Sequence, residues 1–344
     1  MISVKGKEGL AEMQKRKSEH LQICLKNSVE VGTTGFENFH FIHNALPEID
    51  FGKIDTSTEF LGKKLSAPIL ISSMTGSTAQ GGIINRNLAT ATQSRKIAMA
   101  VGSQRIAIKN SLVTSVFQIR NIAPDILLFA NLGAVQLNYG FGIKEYQKAI
   151  DMIKADALIL HLNPLQEAIQ PEGDTNFENL LPKIEKLVKE LSVPVIVKEV
   201  GFGISEKVAQ RLYSIGVRII DVAGRGGTNW AIIESFRAQN NLGLVFKDWG
   251  IPTAEAIDQC HKIKGLKIIG SGGIRNGVEI AKAIALGSDL VGLALPFLEP
   301  ANHSKEAVEE KINQLIRELK IAMFCSGVRN IEELKNIQLI QSKK

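Results

Sequence analysis

One short segment of this 344-residue sequence, His161–Glu167, gathers polar side chains that could do chemistry. It holds an imidazole, two amides and a carboxylate. If the segment begins as a strand, His161 and Asn163 share a face, because side chains alternate along a strand. Gln166 and Glu167 then follow in the turn. One carboxylate plus substrate phosphates is a usual way to hold Mg²⁺. The pattern therefore indicates a functional site in which Glu167 is a candidate metal ligand.

A lysine near the end of an apolar run is a second candidate. Lys198 follows Val195, Ile196 and Val197, and burying an ammonium there is costly without an anionic partner. Alternation puts Lys198 on the same face as Ile196. In a barrel interior, the lysine could be a Schiff-base nucleophile or the counter-ion of an electron-rich ring. From the residues alone, a lysine that reaches solvent explains the pattern equally well.

Two glycine-rich segments, Gly224–Thr228 and Gly270–Arg275, could bind phosphate. Small residues let backbone N–H groups approach a phosphate, and a following helix N-terminus adds a favourable dipole. A single loop of this kind is weak evidence, because an ordinary tight turn uses the same residues. Two such loops on adjacent units indicate one phosphorylated cofactor.

Eight apolar runs, most of them followed by a helix-like stretch, must position these groups. Such runs are expected for parallel strands buried on both faces. Their count and spacing predict an α/β fold, a (β/α)8 TIM barrel with an N-terminal extension, whose chemistry lies at the carboxyl ends of the strands. Residues 1–66 are expected to form an N-terminal arm that covers the substrate, and residues 67–344 the barrel. The runs are Ala67–Met74, Ala98–Ser103, Ile126–Gly133, Ala157–Asn163, Pro194–Val200, Ile219–Gly224, Leu266–Gly273 and Leu290–Phe297.

Helices are expected between the strands, and the charged segment Glu8–Gln22 could be a helix or an arm that orders on binding. Within it, the adjacent cations Arg16 and Lys17 could clamp a diphosphate, although a solvated helix face explains them better when taken alone. Ser205 is a good N-cap for its helix. The expected helices lie near Ile83–Arg95, Leu112–Asn121, Ile143–Lys154, Phe177–Leu191, Ser205–Ile215, Trp230–Arg237, Thr253–Lys262, Val278–Leu286 and Ser304–Met323.

Composition narrows the class of protein. The formal net charge of +6 fits anionic ligands, and the absence of a run of five or more basic residues argues against nucleic acid. Three cysteines without a CxxC spacing suggest neither a disulfide framework nor a zinc site. No signal peptide and no apolar stretch of membrane-spanning length is visible. A cytoplasmic enzyme with a small-molecule substrate is expected.

Together the motifs resemble the type 2 isopentenyl-diphosphate isomerase family, a group of FMN-dependent barrel enzymes. The stretch His161–Asp174 and the N-terminal pair Arg16-Lys17 are the specific parts, whereas many flavin barrels share the glycine loops. The matching segments run in order through nearly the whole chain: Arg16–His20, His43–Pro47, Met74–Gly76, Val101–Arg105, Asn131–Gly133, His161–Asn163, Gln166–Asp174, Lys198-Glu199, Gly226–Thr228 and Gly270–Gly273.

The resemblance implies a reversible 1,3-allylic shift between isopentenyl and dimethylallyl diphosphate in isoprenoid biosynthesis. It implies that the enzyme uses FMN in its reduced state, with NAD(P)H as the reductant, and that it needs Mg²⁺. The reaction would involve no net redox change. The family resemblance also implies a homo-oligomer, a tetramer or larger. Carried over by position, Glu167 would bind Mg²⁺, and Gln166, His161 and Lys198 would be catalytic. The substrate would contact Arg16, Lys17, Arg105, His161, Asn163 and Gln166. FMN would contact Ser73, Met74, Thr75, Ser103, Asn131, Lys198, Thr228, Gly272, Gly273, Ala294 and Leu295.

Physical chemistry is consistent with this assignment of residues to the diphosphate, the metal and the flavin. Cations and a bridging metal neutralise the dense charge of a diphosphate. Protonating an unactivated alkene builds carbocation character, which an electron-rich reduced flavin could stabilise while moving the proton through N5. Lys198 near the flavin N1 side would stabilise the anionic reduced ring. The sequence departs from the family pattern at Ser77, where members often carry glycine after Met-Thr-Gly.

Two classes of alternative, an oxidoreductase and a non-catalytic binding protein, use the same features. A flavin oxidoreductase of the 2-hydroxy-acid oxidase type needs a rim histidine base after strand six or seven, and Gly224–Asn229 and Gly270–Asn276 contain no histidine. Chemistry like that of inosine-monophosphate dehydrogenase needs a rim cysteine, and no cysteine lies at the end of a predicted strand. A non-catalytic FMN- or phosphate-binding barrel would have no use for Gln166, Glu167 and the Arg16-Lys17 pair.

Overall fold

A closed barrel of eight parallel strands forms the centre of the computed structural model, which describes residues 4–342. Each strand pairs with the next in sequence, and the eighth pairs with the first, so the predicted (β/α)8 barrel is confirmed. The strands are β1 (Ile69–Ile71), β2 (Ala98–Ala100), β3 (Leu128–Gly133), β4 (Ala157–His161), β5 (Val195–Lys198), β6 (Ile219–Asp221), β7 (Lys267–Ser271) and β8 (Leu290–Leu293).

Helices surround the strands, and most of the predicted ones are present with ends shifted by a few residues. Ser205 caps its helix as expected, because its side chain accepts a hydrogen bond from the Val208 N–H. The helices are α1 (Val4–Lys26), α2 (Ala79–Arg95), α3 (Arg105–Lys109), α4 (Ile143–Ile153), α5 (Pro164–Ile169), α6 (Leu180–Glu190), α7 (Glu206–Ser214), α8 (Trp230–Ala238), α9 (Leu242–Val245), α10 (Thr253–His261), α11 (Gly277–Ala285), α12 (Leu298–His303), α13 (Lys305–Cys325) and α14 (Ile331–Lys335).

One predicted helix is wrong. The segment Leu112–Asn121 does not form an α-helix; the chain forms the short α3 and then a 3₁₀ segment, Ser111–Val116. Between the two, Asn110 has an extended backbone and its side chain accepts a hydrogen bond from the Leu112 N–H. An Asn side chain that bonds to the nearby backbone competes with a continuous helix. The β-branched residues in Ser111–Val116 also favour helix weakly.

The barrel interior is built in layers, because residues two apart on a strand point to the same face. The buried interior layer includes Phe129, Ile159, Ile196, Ile219 and Ile269. A second layer lies two residues further along each strand, at the carboxyl ends, and most of its side chains are polar. Together with Ser72, Gly102 and Gly292 on the other three units, this outer layer consists of Asn131, His161, Lys198, Asp221 and Ser271.

The segment before β1 closes the barrel at both ends. A hairpin of Thr58–Phe60 and Lys63–Leu65 places Phe60 and Leu65 against the apolar interior, at the amino ends of the strands. At the opposite end, α1 buries Leu21 against the main core and packs beside α8. Within the described residues, no helix combines the length and apolarity needed to cross a membrane.

Candidate active site

A large cavity lies at the carboxyl ends of the strands, between the outer polar layer and α1. Every residue predicted above to bind FMN, substrate or metal, or to be catalytic, lines this one cavity. His161, Gln166 and Lys198, which are distant in sequence or lie on different elements, therefore share a single space. Their contacts, described next, show what each side chain can do there.

The cavity floor contains a buried ion pair. Lys198 Nζ donates to Asp221 Oδ2 at 2.7 Å and to Ser271 Oγ at 3.1 Å. Ser271 Oγ in turn donates to Asp221 Oδ1 at 2.5 Å. The three residues belong to adjacent strands, and Lys198 and Asp221 are direct partners in the register of β5 and β6. The expected barrel-interior position of Lys198 is confirmed, and Asp221 is the anionic partner that its burial requires.

A second set of hydrogen bonds fixes the imidazole of His161. Its Nδ1 lies 2.9 Å from Asn131 Oδ1, and Asn131 Nδ2 donates to Ser73 Oγ at 2.8 Å. Because an amide oxygen only accepts, Nδ1 carries the proton and Nε2 is an acceptor. Burial, followed by the charges of Lys17, Lys198 and Arg105, lowers the pKa of His161 to about 3. The imidazole is therefore neutral near pH 7.

The short helix α5 holds the remaining polar groups of the His161–Glu167 segment. Pro164 begins this helix, where its missing N–H costs nothing. Asn163 Nδ2 donates to Gln166 Oε1 at 3.1 Å and to Glu167 Oε1 at 2.9 Å. The backbone N–H of Asp174 donates to Glu167 Oε2 at 2.7 Å. What the sequence suggested as a turn is thus a hydrogen-bonded helix that directs an amide and a carboxylate to the cavity.

Glu234 on α8 is a buried carboxylate that sequence reasoning missed. It is 0% exposed, and its Oε1 accepts from Gln166 Nε2 at 3.0 Å and lies 3.0 Å from His20 Nε2. Its Oε2 accepts from Arg237 Nε at 2.7 Å. Burial raises the pKa of Glu234, but His20, Gln166 and Arg237 outweigh it and lower that pKa to about 2. Glu234 therefore ties α1, α5 and α8 together around a permanent negative charge.

Three cations from two helices face the cavity. Arg105 on α3 pairs with Asp174 at 2.6 Å, and Arg16 on α1 lies 3.6 Å from Glu172. Lys17 has no carboxylate within 4.0 Å among the described residues. Burial and the neighbouring Arg16 lower the pKa of Lys17 to about 8. This corner of the cavity is therefore prepared for an anion.

The glycine loops after β6 and β7 pack directly on each other. A Cβ added to Gly273, whose φ is +72°, would lie 2.3 Å from the Gly226 oxygen. A Cβ on Gly227 would lie 2.5 Å from the Gly273 nitrogen. Glycine is thus required for the close approach of the two loops, and Gly272 and Gly273 line the cavity. The departure at Ser77 has a cost, since its φ of +71° lies in the left-handed region that favours glycine.

Several buried polar atoms of cavity-lining side chains have no hydrogen-bond partner among the described residues. They are Arg16 Nε, His20 Nδ1, Ser72 Oγ, Arg105 Nε, Gln136 Oε1 and Asn163 Oδ1. Buried polar groups are normally satisfied, so this set fits a polar ligand such as a phosphorylated cofactor. No cluster of three or more His, Cys, Asp or Glu side chains that could hold a metal occurs in residues 4–342.

The fold and the cavity define an FMN-type barrel. Residues 155–341 match the family model described as FMN-dependent dehydrogenase. A solved lactate oxidase from Pediococcus acidilactici has a TM-score of 0.69, with 19% identity over 98% of this chain and 94% of that one. A flavocytochrome b2 variant has a TM-score of 0.68, with 19% identity over 93% of this chain and 82% of that one. At this identity the two structures show the fold alone.

Curated relatives identify the particular family. A protein from Nostoc sp. named isopentenyl-diphosphate delta-isomerase is 52% identical over 96% of this chain and 97% of its own length. A protein of the same name from Rickettsia bellii is 52% identical over 94% of this chain and 97% of its own length. This chain belongs to the isopentenyl-diphosphate delta-isomerase family, in its FMN-dependent form, and is an isomerase.

Family membership decides between the alternatives. The oxidase reading is supported by the fold only. The two histidines that line the cavity, His20 and His161, come from α1 and β4, not from the loops after β6 and β7.

Proposed function

We propose that this protein interconverts isopentenyl and dimethylallyl diphosphate by a reversible 1,3-allylic hydrogen shift in the cavity above the polar layer. The observation that carries the proposal is that one cavity is lined both by Lys198, which is ion-paired to Asp221 behind it, and by the cations Arg16, Lys17 and Arg105. A flat cofactor and a diphosphate would thus lie side by side. The family membership supports the same reaction.

FMN fits the residues present at the floor and at the glycine loops. The residues that would hold it are Ser73, Met74, Thr75, Ser103, Asn131, Lys198, Thr228, Gly272, Gly273, Ala294 and Leu295, all of which line the cavity. When bound in its reduced state, FMN supplies an electron-rich ring able to give and take a proton at the alkene. NAD(P)H is the proposed source of the reducing equivalents.

The cationic corner would bind the diphosphate. Arg16, Lys17 and Arg105 would neutralise its charge, and Lys17 would gain the counter-ion that it lacks among the described residues. Bound anion would also hold the proton on Lys17, whose pKa burial and Arg16 lower to about 8. Substrate binding and the charge of this helix face are therefore linked.

Mg²⁺ would bind through Glu167. A single carboxylate is enough where substrate phosphate oxygens and waters supply the other ligands, as is usual for this ion. The hydrogen bonds from Asn163 and from the Asp174 N–H hold both Glu167 oxygens in place. When bound there, the metal would neutralise part of the diphosphate charge.

The three side chains proposed as catalytic are held rigidly. Gln166 accepts from Asn163 and donates to Glu234, so its amide cannot rotate freely. His161 is neutral and presents Nε2 as an acceptor to the substrate. Lys198 places a positive charge on the floor. Asn163 would complete the substrate site, where its unpartnered Oδ1 could accept a hydrogen bond from a water beside the diphosphate.

We also propose a homo-oligomer, a tetramer or larger. A patch of apolar side chains around α9 is solvent-exposed in the single chain: Phe236 at 47%, Leu242 at 48%, Val245 at 78% and Trp249 at 61%. Large apolar side chains exposed on neighbouring segments are typical of interaction surfaces. Three unpaired cysteines are consistent with a reducing compartment, and the cytoplasm is the proposed location.

The decisive experiment supplies the purified protein with FMN, a reductant, Mg²⁺ and isopentenyl diphosphate, and follows dimethylallyl diphosphate by NMR. We expect conversion in both directions, and none when the flavin is kept oxidised. If reduced, metal-supplied protein leaves isopentenyl diphosphate unchanged, the proposed function fails.

A further inference from the structure

The buried carboxylate of Asp221 contacts neither substrate nor cofactor in the function proposed above, yet its Oδ2 lies 2.7 Å from Lys198 Nζ. It is 0% exposed and lies in the outer polar layer, one strand from Lys198 and one strand from Ser271. The three side chains form a closed triangle of hydrogen bonds in which the carboxylate accepts twice and the serine both accepts and donates. Such a triangle fixes the position of the ammonium.

A comparison of two lysines in the same cavity shows what this triangle does. Lys17 and Lys198 both line the cavity, where Lys198 is buried and Lys17 is half-buried. Lys17 has no carboxylate at ion-pair distance among the described residues, and burial and Arg16 lower its pKa to about 8. Lys198 has Asp221 at 2.7 Å. A buried ammonium without a counter-ion tends to lose its proton, and a paired one keeps it.

We propose that Asp221 is a positioning residue, which acts through Lys198: its carboxylate is the counter-ion of the buried ammonium and holds it aimed at the cavity, with Ser271 as the bridge. The consequence for the flavin rests on the proposed function: a bound flavin would meet a cation of fixed position whose charge is largely offset from behind. Without Asp221, the buried amine would lack its counter-ion, which favours its neutral form.

The first test needs no flavin. Wild type and Asp221→Asn are treated with acetic anhydride at pH 8, and acetylation of Lys198 is followed by peptide mass spectrometry. Only the unprotonated amine reacts, so we expect Lys198 to react about tenfold faster or more in the variant. Asp258→Asn, which breaks an exposed Lys262–Asp258 pair of 2.9 Å, is the matched control and should leave Lys198 unchanged.

Lys17 serves as the internal standard, because it shares the cavity and should react at the same rate in both proteins. Equal acceleration of Lys17 and Lys198 would mean that the variant has merely opened the cavity, and the proposal would be overturned. An unchanged rate at Lys198 would overturn it as well. If Asp221→Asn does not fold, Ser271→Ala is used instead, because it keeps the ion pair but removes the bridging hydroxyl. The acetylation rate of Lys198 should then rise about threefold. An unchanged rate would count against the proposal.

The second test uses the flavin-loaded protein. The flavin absorption spectrum of Asp221→Asn should show a pH-dependent change beyond that of wild type, in which the neighbouring Glu199, whose pKa burial raises to about 7, also titrates. The double variant with Lys198→Met should abolish the additional change, because the titrating amine is gone. A wild-type protein that never binds FMN would refute the proposed function and leave the acetylation result intact. A variant spectrum identical to wild type at every pH would refute the role of Asp221.

Discussion

Replacing Glu234 by glutamine should measurably destabilise the protein near pH 7. The variant keeps the volume of the side chain but removes the charge that His20, Gln166 and Arg237 surround. The pKa of Glu234 falls from 4.5 to about 2, because these three partners outweigh its burial. A shift of this size corresponds to at most about 3 kcal/mol of stability near pH 7, because burial lowers the pKa of His20 and leaves its imidazole neutral there. Removal of one partner from a buried pair costs about 3–5 kcal/mol, which agrees.

The sign of the pH dependence follows from the lowered pKa. A carboxyl whose folded pKa is depressed contributes its full stability above its unfolded pKa, and loses it as pH falls through the folded value. The difference in free energy of unfolding between wild type and Glu234→Gln should therefore be constant between about pH 6 and 8 and should decrease below about pH 4.5. The shift in Tm equals the lost stability divided by the unfolding entropy, which is about 2 cal/mol/K per residue. For this chain, Tm near pH 7 should therefore fall by ~4 °C.

The assay is thermal unfolding followed by circular dichroism from pH 3 to 8. Glu299→Gln is the matched control, because Glu299 is an 81% exposed partner of His303 at 3.9 Å and should change Tm little. If Glu234→Gln lowers Tm no further than this control does, the buried network does not hold α1 and α5 in place and the reasoning fails.

Three further predictions concern single residues. Glu167→Gln should raise the Mg²⁺ requirement much more than it weakens FMN retention, whereas the exposed Glu178→Gln should alter neither; equal loss of metal and flavin would place Glu167 at the cofactor. Ser77→Gly should raise the free energy of unfolding by about 1 kcal/mol in urea titrations, and an unchanged or lower value would show that the left-handed turn carries no strain. ¹⁵N NMR should find the His161 imidazole neutral down to about pH 4, since burial and the nearby cations lower its pKa to about 3; protonation near pH 6.5 would contradict that electrostatic picture.

The barrel and its rim could be predicted because each strand carries its own signal. An apolar run that ends in a polar residue places that residue at the carboxyl end of the barrel, which located Asn131, His161 and Lys198 without any knowledge of their partners. Gln166 and Glu167 were found in the same way, although the helix that presents them was expected to be a turn. Local sequence also mispredicted the helix Leu112–Asn121, where the Asn110 side chain competes with the helix.

The partners could not be predicted from local sequence, because they depend on contacts between distant segments. Asp221 and Glu234 each stand alone in an apolar stretch, the former in β6 and the latter in α8. An isolated acidic residue in such a stretch is the one signal that could have found them, since a buried carboxylate needs a partner. The partners can be identified only in the folded chain, where β5 places Lys198 beside Asp221 and α1 places His20 beside Glu234.

The hairpin Thr58–Leu65 covers the amino end of the barrel, opposite the cavity. At the carboxyl end, α1 lies over the cavity and contributes Arg16, Lys17 and His20 to its lining. If substrate enters and product leaves at this end, displacement of α1 would set an upper limit on turnover, whatever the rate of the proton transfers.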